Sequence, residues 1–178
     1  MIAVPVSCRL AKVGTSAVVR AATPDDVARI TGFGRRHVAR YYAPILGAAV
    51  AAAQVRQWWT EARTADATAA GLVVVAEAGG ELVGVAELGR WAGAPVVWKL
   101  YVHPDHRGGG LGPRLLAAVE DLVEDDDERL LLEHFAGNER AAAFYEREGF
   151  TVDRVEPSAS GRREHDVVWR SRPLARRG

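Results

Sequence analysis

The sequence holds one cysteine, Cys8, in 178 residues, which excludes an internal disulfide and with it a disulfide-stapled scaffold. No Cys/His cluster has zinc-ligand spacing, so a structural metal site is not expected. Charge of one sign is missing too: 23 basic and 23 acidic side chains cancel to a formal net charge of +0. Nucleic acid and anionic membranes both attract a field of one sign, so neither partner is expected. No apolar run approaches the roughly 20 residues of a bilayer-spanning helix. The first residues show a Val/Ile patch but no charged start leading into a sustained apolar core, so a signal peptide is not expected. Lysine is nearly absent, with only Lys12 and Lys99 against 21 arginines. Alongside so many alanines, this skew reads as base composition and not as a phosphate-binding signature.

What is present is ordinary for a globular chain: 48 % apolar and 26 % charged residues. That length packs as one body with a radius of gyration of about 16 Å. We expect a single domain over residues 17–174, a short and loose extension over 1–16, a tail over 175–178, and a cytoplasmic location.

Hydrophobic periodicity divides the chain. Val18–Arg20 is a short strand, and Thr23-Pro24-Asp25-Asp26 reads as a helix entrance, with Thr as cap and Pro in the first turn. A helix to about Val38 is predicted, then a break at Tyr41-Tyr42-Ala43-Pro44, then a second helix over about Pro44–Ala65 carrying Ile45, Val50, Ala53 and Trp58 at helical spacing. Leu72–Ala76 and Glu81–Leu88 are β runs joined by Gly79-Gly80, a hairpin signal. Val96–Val102 is a third run. Pro113–Glu124 is an amphipathic helix, Arg129–His134 a strand, Glu139–Arg147 a helix stopped at Gly149, and Thr151–Val155 with His165–Trp169 a closing strand pair. The order implies a mixed α/β domain.

The segment richest in chemistry runs from Leu100-Tyr101-Val102 through His103-Pro104-Asp105-His106-Arg107 into Gly108-Gly109-Gly110-Leu111-Gly112-Pro113. A strand enters a glycine-dense turn that opens a helix. Glycines allow positive φ and keep side chains away from the amides, and a helix N-terminus adds free N–H groups, so the whole suits a pyrophosphate. The Gly-Lys-Ser/Thr of a P-loop is absent, and a dinucleotide fingerprint starting at Gly110 would need glycine where Leu115 stands. His103 and His106 could suggest a metal pair, but strand-exit turns are often so composed.

Arg107-x-x-Gly110-x-Gly112, preceded by Tyr-Val-His-Pro, resembles the acyl-CoA-binding signature of the GCN5-related N-acetyltransferase (GNAT) superfamily. Asn138-Glu139-Arg140-Ala141-Ala142-Ala143-Phe144-Tyr145-Glu146-Arg147-Glu148-Gly149-Phe150 is similar to that superfamily's second signature, N-x-x-A-x-x-F-Y-x-x-x-G-F. The two together, in this order, extend the resemblance over roughly Val18–Trp169.

The resemblance implies an α/β (α+β type) acyl-CoA acyltransferase fold, a mixed and mostly antiparallel splayed sheet flanked by helices. It implies acetyl-CoA as co-substrate and direct acetyl transfer to an amine. Leu100 and Val102 would offer main-chain groups to the pantetheine, with the Val102 N–H polarising the thioester carbonyl. Arg107, Gly108, Gly110 and Gly112 would hold the pyrophosphate. Asn138 would contact the cofactor arm, although a plain helix N-cap explains it equally well. Tyr145 would protonate the leaving thiolate.

The family's usual Glu, near the start of the strand before the glycine turn, is missing at Val96. Glu133, twelve residues before Tyr145, is the first substitute as general base, because the branch that acetylates ribosomal-protein N-termini carries a Glu in a similar stretch before its Asn. Glu87 on the preceding strand is the second. His134 neighbours Glu133 but should face the other side of the sheet. A relay through water with no dedicated base stays open.

The expected acceptor is an amine-bearing small molecule, since His165-Asp166-Val167-Val168-Trp169 resembles the phosphinothricin type of acetyltransferase. A protein N-terminus, a non-catalytic acyl-CoA sensor and a homodimer stay open. Trp58-Trp59 and Tyr41-Tyr42 could line an acceptor pocket, with core packing the simpler explanation for at least one of each pair.

Overall fold

Runs rich in β-branched and apolar residues form seven strands among the described residues: β1 (Val18–Ala21), β2 (Val73–Ala78), β3 (Glu81–Trp91), β4 (Ala94–Val102), β5 (Arg129–Phe135), β6 (Thr151–Glu156) and β7 (Val167–Pro173). The structure, a computed structural model, describes residues 17–175; the expected extension over 1–16 and all but Ala175 of the expected tail lie outside the described residues. The strands make one open sheet in the order β1-β2-β3-β4-β5-β7-β6. Every neighbouring pair is antiparallel except β4 and β5. Gly79 and Gly80 turn β2 into β3 at φ of 59° and 81°, a conformation that favours glycine.

Helices cover both faces. α1 (Val27–Phe33), α2 (Ala39–Leu46), α3 (Ala48–Trp58) and α4 (Glu61–Ala69) precede β2; α5 (Leu111–Glu120) follows β4 and α6 (Glu139–Arg147) follows β5. On one face Leu115, Leu116, Val119, Tyr145 and Phe150 pack against Val74, Ala86, Leu130 and Leu132. On the other, Ile30, Phe33, Val55 and Trp59 pack against Val73, Val75 and Val85. The entrance to α1 is tied down by Asp26, which is buried and accepts hydrogen bonds from Arg20, Arg29 and the Thr23 backbone. The Arg20 guanidinium holds that carboxyl far below the usual range.

The N-terminal helices depart from the sequence expectation. No break falls at Tyr41–Pro44; α1 continues through a π-helical turn over Gly34–Val38 into α2, with Pro44 inside. Pro44 is tolerated because the carbonyl left without a partner belongs to Arg40, which is exposed to water. The break comes at Gly47, at φ +81°. The predicted helix over 44–65 is shared among three, the end of α2, all of α3 and the start of α4; the second division comes where the Thr60 side chain accepts the Arg63 amide (3.3 Å) and starts a new helix. The buried face is also different: Ala51, Val55 and Trp59 are covered, whereas Val50 and Trp58 are exposed.

Smaller shifts occur further on. α5 begins at Leu111, since Gly110 at φ +78° closes the turn there, and it ends at Glu120. β7 begins at Val167, because Arg163–His165 forms a 3-10 turn.

The π turn adds a residue and so rotates everything after it by about 100°. It can form because Gly34 lets the Trp59 indole lie against the backbone; a Cβ at 34 would sit 2.3 Å from two of its ring atoms. Trp59 is buried and has nowhere to move. Gly34→Ala should therefore cost about 1–3 kcal/mol through overpacking, read as a lower urea midpoint at unchanged m-value.

Candidate active site

Pairing between β4 and β5 stops almost where it starts. Only Val96/Leu131 and Val97/Leu132 are matched. On the other side of β4 the register with β3 shifts, so that Glu87 faces Lys99 and Leu88 faces Val97, leaving Trp98 as the extra residue of a bulge. Beyond it β4 follows β3 and diverges from β5. The His103 amide donates to the Val83 carbonyl at 2.8 Å. By the alternation of an antiparallel ladder, Tyr101 and Lys99 also turn their backbone groups toward β3, and Leu100 and Val102 turn theirs into the opening. The Val102 carbonyl is taken by Arg107 Nε (2.8 Å), which leaves Val102 its N–H and Leu100 both groups for a ligand.

The opening is a cleft of about 390 Å³. At one end lies the glycine turn. Among the described residues, the amides of 108–112 find no backbone acceptor, and a Cβ at Gly108, Gly109 or Gly110 would meet no atom within 4 Å. Gly112 has a different reason: its Cβ would come 3.1 Å from Phe144, so glycine there lets α6 approach α5. Arg107 lies 4.9 Å over the Tyr41 ring. Burial, and then the charge of Arg140 beside it, push the Arg107 guanidinium pKa down. Two crowded cations next to a row of free amides fit a pyrophosphate.

All four tyrosines of the chain line this cleft. Tyr145 is buried, with its ring against Phe144 (5.3 Å), Phe150 and His134 (both 5.9 Å). It is a core aromatic whose hydroxyl bonds to no described residue. Burial, then Tyr42 and Tyr41, raise its pKa, so the phenol holds its proton at neutral pH. Tyr101 donates to Tyr42 (3.1 Å), and Tyr41 donates to Asn138 Oδ1 (2.7 Å). The same oxygen accepts the Ala141 amide (3.1 Å), so Asn138 is the N-cap of α6, with its oxygen committed within the protein.

Glu133 and His134 face opposite sides of β5. His134 is buried with both ring nitrogens engaged, Nδ1 with the Phe135 carbonyl (2.9 Å) and Nε2 with Arg170 (3.0 Å). Burial, first among its causes, pushes its pKa down. Glu133 stays reachable by solvent in the cleft and makes no hydrogen bond to a described residue. The surrounding walls, then Glu156, raise its pKa, and Arg154 opposes them. Glu87 does not line the cleft. It is ion-paired with the buried Lys99, whose Nζ lies 5.2 Å from the Trp59 ring.

The structure thus gathers Leu100, Val102, Arg107, Gly108, Gly110, Gly112, Glu133, Asn138 and Tyr145 in one cleft and leaves Glu87 outside it. Sequence reasoning overlooked Tyr101, Trp98 and Arg140 as lining residues. Tyr101 was within reach, since alternation puts it opposite Leu100 and Val102; the bulge that presents Trp98 has no local signature. The ring contacts His103–His106 (5.8 Å) and His37–His103 (4.7 Å) do not form a metal site, for no group of three His, Cys, Asp or Glu able to hold an ion occurs among the described residues.

The family model described as "Acetyltransferase (GNAT) domain" matches residues 69–152. The L-amino acid N-acyltransferase MnaT of Escherichia coli (strain K12) is 32 % identical over 122 residues, covering 65 % of this chain and 69 % of that protein. Among solved structures, the PaiA N-acetyltransferase of Thermoplasma acidophilum in complex with coenzyme A superposes with a TM-score of 0.74 at 19 % identity, over 89 % of this chain and 99 % of that one. The yncA protein of Salmonella typhimurium with its cofactor acetyl-CoA gives a TM-score of 0.64 at 26 % identity, over 89 % and 94 %.

Acetyl-CoA at a hundred times its dissociation constant should stabilise the protein by roughly 2.7 kcal/mol, visible as a thermal shift. Gly110→Val places a branched side chain at φ +78° and into the ligand's space, so it should cost about 1–2 kcal/mol of stability and remove the shift. A folded variant with an undiminished shift would remove the glycine turn from the binding site.

Proposed function

Because the chain belongs to the GNAT acetyltransferase family, we propose that it moves the acetyl group of acetyl-CoA to the α-amine of a free L-amino acid. It is an acyltransferase with acetyl-CoA as co-substrate. The observation that carries the mechanism is the meeting, in one cleft, of a reachable carboxylate at Glu133 and a protonated phenol at Tyr145. The amino-acid acceptor is supported by the relationship to an L-amino acid N-acyltransferase.

Acetyl-CoA supplies a thioester, whose C–S bond breaks as the amine nitrogen forms the new C–N bond. The chain's residues bind and move protons. The free amides of 108–112, with Arg107 and Arg140, hold the pyrophosphate, and the Leu100 backbone pairs with the pantetheine arm. The Val102 N–H points into the opening, where it can hydrogen-bond the carbonyl oxygen as negative charge gathers on it.

Amines enter as ammonium ions. Glu133 attracts the cation, and aromatic faces at Tyr41, Tyr42 and Trp98 favour it further. Glu133 takes the ammonium proton, directly or through water, and the nitrogen becomes nucleophilic. Tyr145 gives its proton to the departing sulfur. A thiol ionises near pH 8.5, below a buried phenol, so this transfer is uphill taken alone; it is completed as the Tyr145 phenolate regains a proton, the second one that the acceptor nitrogen sheds when the amide forms.

Tyr145→Phe keeps the ring and its packing. Acetyl-CoA binding should survive while turnover falls by about 10²–10⁴-fold. Unchanged turnover would reduce Tyr145 to a core residue, and binding without turnover of any amine by the unaltered protein would make it a sensor of acyl-CoA.

Glu133→Gln tests the base by pH. A carboxyl whose pKa is raised gains its charge only as pH rises through that value, so the wild-type rate should climb there. The Gln variant should lose this limb, be slow at neutral pH and recover in part at high pH, where the amine arrives deprotonated. Glu87→Gln, outside the cleft, should keep the wild-type profile; if it alone loses activity with high-pH recovery, the base is Glu87.

A further inference from the structure

The transfer chemistry leaves unused a row of side chains on the face of the sheet that Glu133 occupies. Glu133 on β5 stands opposite Trp169 on β7, and Trp169 stands opposite Arg154 on β6. Directly opposed residues of antiparallel strands share a face, so the three form one line. The Arg154 guanidinium lies 4.4 Å over the Trp169 ring. The indole is held in turn by stacking on Trp91 (5.9 Å) and an edge contact with Trp98 (6.1 Å), and Trp98 lines the cleft. Trp169 is itself buried, so it fixes the Arg154 guanidinium in place on the same face of the sheet as the Glu133 carboxylate.

Arg154 donates from Nε to Glu156 (2.9 Å), which steadies the guanidinium. Its two terminal nitrogens meet no carboxylate among the described residues. The charges at the two ends act on each other, since Arg154 favours the ionised form of Glu133 and Glu156 disfavours it. Strands lie about 4.8 Å apart, so the backbones of β5 and β6, with β7 between them, are roughly 10 Å apart. An α-amino acid holds its ammonium and carboxylate within about 3 Å, and a hydrogen bond of about 2.9 Å at each end brings the span to roughly 9 Å. The two charged ends can be no farther apart than a bound amino acid can bridge, because the Arg154 guanidinium leans over Trp169 towards β5, and a free amino acid offers one charge for each end. A simple amine would satisfy Glu133 alone, and a peptide N-terminus would bring a neutral amide to Arg154.

We propose that Arg154, held in place by its stacking on the buried Trp169, recognises the α-carboxylate of the acceptor while Glu133 holds its amine. The assignment rests on the reading of the chain as an amino-acid acetyltransferase and makes Arg154 a specificity-determining residue for that reaction. It donates no proton, so its loss acts on acceptor binding and, through the lost charge, moves the rise of rate with Glu133 ionisation to higher pH.

The test is steady-state kinetics, followed by release of the CoA thiol, on a panel of L-amino acids and the carboxamide of the best of them. The wild-type protein should prefer the free acid by about 10- to 100-fold in kcat/KM, the range expected for a charge-assisted hydrogen bond. Compared on the high-pH plateau, where Glu133 is ionised in both proteins, Arg154→Ala should raise KM for the acid by about that factor and affect the carboxamide far less, and so abolish the preference. Arg154→Lys should restore part of it, since the charge returns without the planar fork. If amino acids are substrates but Arg154→Ala leaves the acid-to-amide ratio unchanged, or raises KM for both alike, Arg154 is structural and the amino-acid reading stands without it. If the wild-type protein acetylates none of the amino acids, both readings fall.

Discussion

The early end of the β4–β5 pairing is the constraint from which the site follows. Two matched residue pairs tie the strands, and the extra residue at Trp98 then bends β4 toward β3. A buried strand cannot leave a row of backbone groups unpaired without cost. Those of Leu100 and Val102 face a cleft instead of β5, where water or an extended ligand can satisfy them. The fold therefore contains a half-made sheet, and a pantetheine arm is a chemically suitable strand to complete it.

The same divergence leaves Tyr145 and Glu133 open to water to different degrees. Tyr145 belongs to the core packed against α5 and β5, and burial keeps its proton in place. Glu133, on the opposite face of β5 from His134, reaches the cleft from the side of the N-terminal helices. Its carboxyl is crowded enough to bind a proton more readily than a surface acid, yet stays accessible to a charged amine. One strand opening thus brings together a donor from one face of the sheet and an acceptor from the other.

The wall opposite Glu133 depends on a second constraint, the close approach of Trp59 to Gly34. The π turn there sets the rotation of α2 and with it the direction of Tyr41 and Tyr42. Tyr41 then reaches Asn138, and Tyr42 reaches Tyr101 and Phe135. Because the cap of α6 is bonded to a side chain of α2, the helix bearing Tyr145 and the wall of the acceptor side are coupled mechanically.

Much of this was legible in the chain itself. The Gly79-Gly80 hairpin, the helix over Glu139–Arg147 with Asn138 as its cap and Gly149 as its stop, and the turn at Gly108–Gly112 depend on residues within four positions of one another. Local rules reach that far. The N-terminal helices were misjudged because the preference of Pro44 for a break was outweighed by exposure of the Arg40 carbonyl, and because the phase of the buried face was set by a tryptophan packing on a distant glycine. The partners that complete the site are not local at all: Tyr41 and Asn138 are 97 positions apart in sequence, and Lys99 with Glu87, or Glu133 with Trp169 and Arg154, meet only across strands. The sequence by itself determined where strands, caps and the glycine turn would form, since each is decided by its own neighbours' torsions and hydrogen bonds. Which carboxylate would stand free in the cleft and which would be neutralised by lysine was decided only by the register of the folded sheet, because a side chain's charge partner is set by which strand lies beside it.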